Sequence, residues 1–476
     1  MTQLKGRRLG DRRVRIERAR PEEHVVSAPR RVRPPPPPGL ILVAGFAVAI
    51  AIGTLMLMPP YASASGTWTD PLTALFTATS AVCVTGLVVV DTATHWSPVG
   101  QLIILALIQA GGFGIMTSST LLLFLLVRGR TRLRDRVLVQ ESTGTPQLGD
   151  VVAVIRKVAI FTLIAEVAGA VLLAPAFLVG ADTAGPVEAA WWGVFHSISA
   201  FNNAGFDLTG GFRSLAPFAD DWVVLGVIGI LIVIGGLGFA IVDDVVSKRS
   251  WSRLGLEAKV VLVTSAILLV GGAVAIGVLE WSNPATLGAQ AEPQRILNAA
   301  FESASLRTAG FSSMNVTAYV DGTLFIVMAL MFIGGASGST AGGIKVGTFS
   351  TLFIAIASTA RGRQSAEAFG RRITQTIVYR ALTVALLSVA FVFVVGLALT
   401  ITSELRFVEV LFEAVSAFGT NGTTTGITRQ LGAGSQLVVI LTMFIGRLGP
   451  LTLVLILAAR ARPSRYRPAV ESMRIG

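Results

Sequence analysis

Apolar residues in this chain come in long unbroken blocks rather than with the period of an amphipathic helix or a half-buried strand. Leu40–Met58 and Ala381–Ile401 contain no charged residue, and each reaches the roughly 20 residues that cross a bilayer as a helix. The blocks alternate with shorter segments rich in small residues. The pattern predicts outer helices near 40–58, 152–179, 258–280 and 376–401, and inner helices near 99–127, 221–246, 322–360 and 435–459. Between the members of each pair lie half-helices near 71–82, 188–201, 294–306 and 405–418, too short to span.

One unit recurs four times. Phe76-Thr-Ala-Thr-Ser-Ala-Val-Cys-Val-Thr-Gly86 aligns with Phe195-His-Ser-Ile-Ser-Ala-Phe-Asn-Asn-Ala-Gly205 and with Phe412-Glu-Ala-Val-Ser-Ala-Phe-Gly-Thr-Asn-Gly422. The third copy, Phe301-Glu-Ser-Ala-Ser-Leu-Arg-Thr-Ala-Gly310, is one residue shorter. A second signature follows each copy 24–30 residues later: Gly111-Gly-Phe-Gly114, Gly235-Gly-Leu-Gly238, Gly334-Gly-Ala-Ser-Gly338 and Gly446-Arg-Leu-Gly449. Either signature alone is weak, because glycine is common in membrane helices; their paired recurrence in order is not. The expected fold is an all-α polytopic membrane protein. It has four pseudo-repeats of outer helix, pore half-helix, filter strand and inner helix, eight transmembrane helices in all, around a central pore. The expected divisions are a basic, Pro-rich tail over 1–39, repeats over 40–128, 150–247, 256–360 and 374–460, and a second tail over 461–476. The leader is expected to lack order. The Ala62-Ser63-Ala64 triplet after the first apolar block resembles a signal cleavage site, but the apolar run before it exceeds a signal h-region, so a retained first helix is expected.

Composition sharpens this picture. The 476 residues are 53% hydrophobic and 14% charged, against about a quarter charged in soluble domains. The net charge of +12 is distributed in five clusters: Lys5–Arg33, Arg128–Lys157, Lys248–Lys259, Arg361–Arg380 and Arg460–Arg474. Tyr61–Asp70, Ala181–Glu188 and Trp281–Pro293 carry no Lys or Arg, and only Arg213, Arg295, Arg307, Arg406 and Arg429 fall on that side. The positive-inside rule makes the clusters and both termini cytoplasmic, in a cell membrane, and the excess charge implies topology rather than nucleic acid. A single cysteine, Cys83, excludes a disulfide framework, and His24, His95 and His196 are too scattered for a metal centre.

Irregular backbone at membrane depth is tolerated only where it lines water or is buried in protein. A half-helix entering from outside points its carbonyl end, about half a negative charge, at the centre. Extended residues after it offer carbonyls that can replace an ion's hydration shell. Glycine lets those chains turn and approach, which makes Gly86, Gly205, Gly310 and Gly422 candidates for a cation pore. Gly334–Gly343 has five glycines and three hydroxyl residues in ten positions, a poor helix. It is expected to form an intramembrane gating loop beneath the pore, made of Gly334, Gly335, Ser337, Gly338, Ser339, Thr340, Gly342 and Gly343 and followed by Lys345. Arg447 occupies the matching place in the fourth inner helix, where it raises the barrier to cations or anchors the loop through its carbonyls. Asp243 and Asp244 read as cytoplasmic-mouth charges, Arg307 as a brace for the filter loops, and Glu166 has no assignable partner.

Thr77–Asp91 (TATSAVCVTGLVVVD) followed by Ile108–Met116 (IQAGGFGIM) resembles the potassium-uptake family of Trk, Ktr and HKT proteins over residues 40–460, and most of all its Ktr-type membrane subunits. The resemblance implies potassium uptake, with filter strands Cys83, Val84, Thr85, Gly86; Asn202, Asn203, Ala204, Gly205; Thr308, Ala309, Gly310; and Thr420, Asn421, Gly422. Serine at the first glycine accompanies sodium preference in that family, so Gly86 favours K+, with Na+ as a candidate second ion and symport as one mode. Cys83 replaces a more usual hydroxyl residue and Asn421 a more usual apolar one. The resemblance also implies a membrane homodimer and a cytosolic RCK-type nucleotide-binding regulatory ring on the basic face; this chain carries no nucleotide motif. Two other classes compete. Gly335-Ala-Ser-Gly338 resembles an intramembrane serine protease motif, but only His196 offers a base. A secondary carrier would also use broken helices, usually in two long repeats.

Overall fold

The computed structural model describes residues 38–128, 148–180 and 185–449. The leader up to residue 37, the core of the second basic cluster and everything after Gly449, including the 461–476 tail, lie outside the described residues.

Four stretches of chain follow the expected order. The first contains α1 (Pro38–Leu57), α2 (Pro71–Val82) and α3 (Pro98–Arg128). The second contains α4 (Leu148–Gly180), α5 (Pro186–Phe201) and α6 (Trp222–Lys248). The third has α7 (Leu256–Glu280) and α8 (Glu292–Ser305), then two helices where one long apolar block ran, α9 (Asp321–Phe332) and α10 (Val346–Ala360). The fourth has α11 (Gln375–Thr402), α12 (Phe407–Gly419) and α13 (Ala433–Leu448). Among the described residues, five helices are long and apolar enough to cross a membrane, in α3, α4, α6, α7 and α11.

The short helices α2, α5, α8 and α12 have 12 to 16 residues, about 18–24 Å at 1.5 Å per residue. They start where the sequence supplies a starter: Asp70 caps α2 by accepting from the Leu72 and Thr73 amides, with Pro71 at the first helical position, and Pro186 and Pro293 open α5 and α8. Their leading phenylalanines, Phe76, Phe195, Phe301 and Phe412, are buried among the surrounding helices. Leu55, Leu163, Ile230, Ile267 and Phe393, by contrast, face outward, the surface a bilayer would cover.

Two features depart from the sequence reading. The second inner helix is not continuous: Gly238 has φ 73° and ψ 158° and kinks α6, because the chain over Gly338–Ser339 presses against that glycine and leaves no room for a Cβ. Between α10 and α11 a two-residue hairpin pairs Glu367 with Arg372 and Ala368 with Arg371. Phe369 and Gly370 turn it at φ 52° and 72°, the positive φ pair of a tight hairpin turn.

Candidate functional site

The C-terminal ends of α2, α5, α8 and α12 each run into a short irregular segment that ends in one of the four repeated glycines. Those glycines form a closed ring. A Cβ placed on Gly86 would lie 3.1 Å from the Gly205 Cα, and one on Gly205 3.1 Å from the Gly310 Cα. From Gly310 the distance to the Gly422 Cα is 3.2 Å, and from Gly422 back to the Gly86 Cα it is 3.0 Å. Each such Cβ also meets a carbonyl oxygen of the next segment, from Ala204, Ala309, Asn421 and Thr85 in turn. Four backbones therefore approach one another closely, and each glycine lies in left-handed space, at φ 88°, 70°, 77° and 94°. Any side chain is excluded both by the neighbour and by its own backbone.

Two residues earlier, Val84, Asn203, Thr308 and Thr420 also have positive φ, at 54°, 58°, 78° and 47°. Three of these are β-branched, the residue class least tolerant of that conformation. The same strain at the same place in four segments indicates a backbone held for a purpose rather than local accident. Cys83, Thr85, Asn202, Ala204, Ala309 and Asn421 complete the segments and are buried. The hydroxyls of Thr85, Thr308 and Thr420 are buried without a protein hydrogen-bond partner.

The sequence shows the motif serines Ser80, Ser199, Ser305 and Ser416 without revealing their role, which the structure supplies. Each lies on its half-helix facing the returning segment. Ser80 Oγ accepts from Gly86 N at 3.1 Å and Ser416 Oγ from Gly422 N at 3.2 Å. Ser199 Oγ donates to Phe206 O at 2.7 Å, and Ser305 Oγ donates to Phe311 O. The serine backbone carbonyls accept from Thr85, Ala204, Ala309 and Asn421 N. The second glycine signature also finds its reason. A Cβ on Gly111, Gly235 or Gly446 would collide with the carbonyl group of Val82, Phe201 or Phe418, at the C-terminal end of the half-helix above.

Glu166, unassigned from sequence, accepts from Gln109 Nε2 at 3.1 Å and Asn202 Nδ2 at 3.0 Å, so it sits behind the second segment. Asn421 has a role too: its side-chain amide donates to Ser305 O at 3.1 Å and ties the fourth segment to the C-terminal end of α8. The Arg307 guanidinium reaches Ser265 O and Oγ on α7, at 3.4 and 3.2 Å, and so ties the residue before the third segment to that helix.

Gly334–Lys345 runs directly beneath the ring, between α9 and α10. Two of its N–H groups pair outward: Ala336 N donates to Gly236 O at 2.9 Å and Thr340 N to Gly235 O at 3.3 Å. Thr340 Oγ1 donates to Asn203 Oδ1 at 2.9 Å, which joins the loop to the second segment. Gly342 lies against the Thr420 hydroxyl and Gly334 against the Thr308 methyl, which a Cβ would approach to 3.3 Å. Gly335, Ser339 and Gly343 are buried, whereas Ser337 is exposed. Gly338 lies against the α6 kink, and Lys345 Nζ donates back to Ala341 O. Arg447, buried on α13, donates to Thr340 O and, at 3.3 Å, to Gly111 O. Toward the cytoplasm-facing end expected from charge, Asp244 pairs with Lys248 and accepts from Gly255 N.

On the other side of the ring a cavity of about 420 Å³ opens, lined by the four glycines, Asp207, Ser312, Thr424, Thr428, Arg213 and Arg429 among others. Among the described residues no group of three His, Cys, Asp or Glu is placed to hold a metal ion. His196 has both ring nitrogens engaged, Nδ1 with Trp192 O at 2.8 Å and Nε2 with Leu208 N at 3.3 Å, which leaves it no free nitrogen to activate a serine.

Long apolar helices around a ring of converging backbone breaks define a polytopic membrane transport protein. Residues 38–465 match the TrkH family, described as cation transport protein, and the chain belongs to that family. It is 37% identical to the Ktr system potassium uptake protein B of Bacillus subtilis over 418 residues, 88% of this chain and 92% of the relative. It is 36% identical to the potassium/sodium uptake protein NtpJ of Enterococcus hirae over 453 residues, 94% and 99% of the two chains. The solved structure of the potassium transporter TrkH from Vibrio parahaemolyticus shares the fold, with a TM-score of 0.71 at 18% identity over 90% of this chain and 86% of that one. The family is one of transporters, not enzymes.

Proposed function

We propose that this chain is the ion-translocating membrane subunit of a potassium-uptake system, with eight spans and four pseudo-repeats around one pore. The observation that carries the reading is the closed ring of Gly86, Gly205, Gly310 and Gly422 under four half-helix carbonyl ends. The three spans beyond the five long helices are α1, the broken pair α9 and α10, and α13. In this reading the backbone carbonyls of Cys83–Gly86, Asn202–Gly205, Thr308–Gly310 and Thr420–Gly422 replace the hydration shell of K+. The rigidity supplied by the motif serines and Asn421 favours the larger ion, because a braced ring does not shrink around Na+. That the relatives bear names of potassium, and in one case potassium/sodium, uptake proteins supports K+ as the cargo and keeps Na+ as a second candidate.

Gly334–Gly343 is the gate in this account and Arg447 its latch. The guanidinium ties down the Thr340 carbonyl and places a positive charge below the filter, and both effects oppose cation passage. Opening moves the loop away from the Thr420 hydroxyl and breaks its link to Asn203. Both termini and the basic clusters face the cytoplasm. There the Arg361, Arg363, Arg371 and Arg372 surface offers a docking place for an acidic cytosolic regulatory ring of nucleotide-binding RCK type, and the membrane subunit is a homodimer. A secondary carrier is the alternative reading.

The test is uptake of Rb+ by proteoliposomes containing the full chain under an inside-negative potential. The account predicts saturable uptake that K+ suppresses far more strongly than Na+ or Li+; equal suppression by all three contradicts potassium as the cargo.

A further inference from the structure

The position after the motif phenylalanine is Thr77, His196, Glu302 and Glu413 in the four copies. It lies three residues before the motif serine, hence on the same face of the half-helix, one turn nearer the outer surface. Each of the last three holds the chain just beyond the glycine. His196 Nε2 accepts from Leu208 N at 3.3 Å. Glu302 Oε1 accepts from Ser313 N at 2.7 Å and from Ser312 Oγ at 2.8 Å. Glu413 accepts from the hydroxyls of Thr424, at 2.7 Å, and Thr428. Thr77 has no partner for its hydroxyl. The serine thus forms an inner rung and this residue an outer rung, and in the third and fourth copies the outer rung is a carboxyl.

Both carboxyls are fully buried. Burying such a group at membrane depth is costly, and a helix needs none there for its own stability. Their hydroxyl partners Ser312, Thr424 and Thr428 also line the outer cavity, so each carboxyl stands one hydroxyl away from the route an ion takes into the ring. We propose that Glu302 and Glu413, with His196 at the same place in the second copy, are positioning residues that fix the outer ends of the filter strands through these hydroxyl and amide contacts and thereby set ion selectivity. The proposal rests on the filter reading above.

The experiment measures Rb+ and Na+ permeation of the full chain in proteoliposomes for Glu413→Gln, Thr428→Val, the two together, and Gly310→Ser. Glu413→Gln keeps side-chain volume but leaves one acceptor oxygen for the two threonine hydroxyls, and Thr428→Val keeps the β-branched shape but removes one of those hydroxyls, so each weakens the same contact by a different route. Each is expected to lower the Rb+/Na+ permeability ratio about fivefold, the scale of one buried hydrogen bond. The double variant is expected to fall no further, because partners in one contact are not additive; a merely structural contribution would instead lower the yield of folded protein and leave the ratio intact. A wild-type ratio in both single variants while Gly310→Ser loses selectivity overturns the positioning role and leaves the filter standing. Additive losses overturn the claim that Glu413 acts through Thr428. An unchanged ratio in Gly310→Ser as well overturns the filter reading, and this proposal with it.

Discussion

Replacing Arg447 by alanine gives the sharpest prediction about the gate. Its guanidinium donates to Thr340 O on the loop and to Gly111 O on α3, an arrangement that is the closed one under the proposed gate. Hydrogen bonds from a charged donor contribute about 1.5–3 kcal/mol each, and only the bond to Thr340 is lost when the loop moves away. Removing it shifts the loop's equilibrium toward the open state by about 1.5–3 kcal/mol, roughly ten- to a hundredfold. Loss of the positive charge from the path lowers the barrier to cations further. Rb+ uptake into proteoliposomes holding the membrane chain alone, with no cytosolic partner, is therefore expected to rise at least about tenfold in Arg447→Ala. Arg447→Lys is expected to fall between the two, since an ammonium keeps the charge but not the planar fork that reaches two carbonyls. Uptake by folded Arg447→Ala equal to or below that of the parent chain would refute the latch.

Further outcomes follow from the same geometry. Gly342→Ala would place a Cβ against the Thr420 hydroxyl and within 2.8 Å of Gly419 O, so it is expected to displace the loop and raise basal Rb+ leak. Ser416→Ala removes the acceptor for Gly422 N; a loss of about 1–2 kcal/mol should appear as a thermal midpoint lowered by a few degrees and a reduced Rb+/Na+ ratio. Asp207, half-buried in the outer cavity, has its carboxyl pushed up to about 6 by burial, which outweighs the hydrogen bonds from Thr209; nearby Asp91 raises it further and Arg213 opposes. Its folded value lies above the ordinary value of about 3.9, so the folded state binds the extra proton between about pH 4 and 6. Stability contributed by this group therefore falls as pH rises through that window, and the mouth carries its negative charge only above about pH 6. External acidification from pH 7.5 to 5 should lower cation influx, and Asp207→Asn should flatten that dependence; an unchanged profile in the variant would remove Asp207 from the entry path.

The parts of the architecture that repeat could be read directly from the chain. Glycine at four matched positions, each with a second glycine signature downstream, located the ring and the inner helices, because close backbone approach admits no other residue. The half-helices were visible as segments too short to span, and Gly334–Gly343 as a stretch too glycine-rich to remain helical. Contacts between copies were not visible. Nothing local ties Glu166 to Asn202 or Asn421 to Ser305, since each pair meets only when distant segments pack. The four motif serines were in plain view, but serine is common beside small residues, and its bond to the strand depends on where the chain returns. Gly238 kinks α6 only because Gly338–Ser339 presses on it, whereas its own neighbours favour a helix.

The central claim is that four glycine-centred backbone strands select the ion. Its most direct test is the relative permeation of K+, Rb+, Na+ and Li+ through the parent chain and Gly310→Ser in proteoliposomes. The account predicts strong preference for K+ and Rb+ in the parent and its collapse in the variant, because a serine Cβ cannot fit beside the Gly422 Cα or at a φ of 77°. Permeation that is indifferent to ion identity in the parent, or to the substitution, would contradict it.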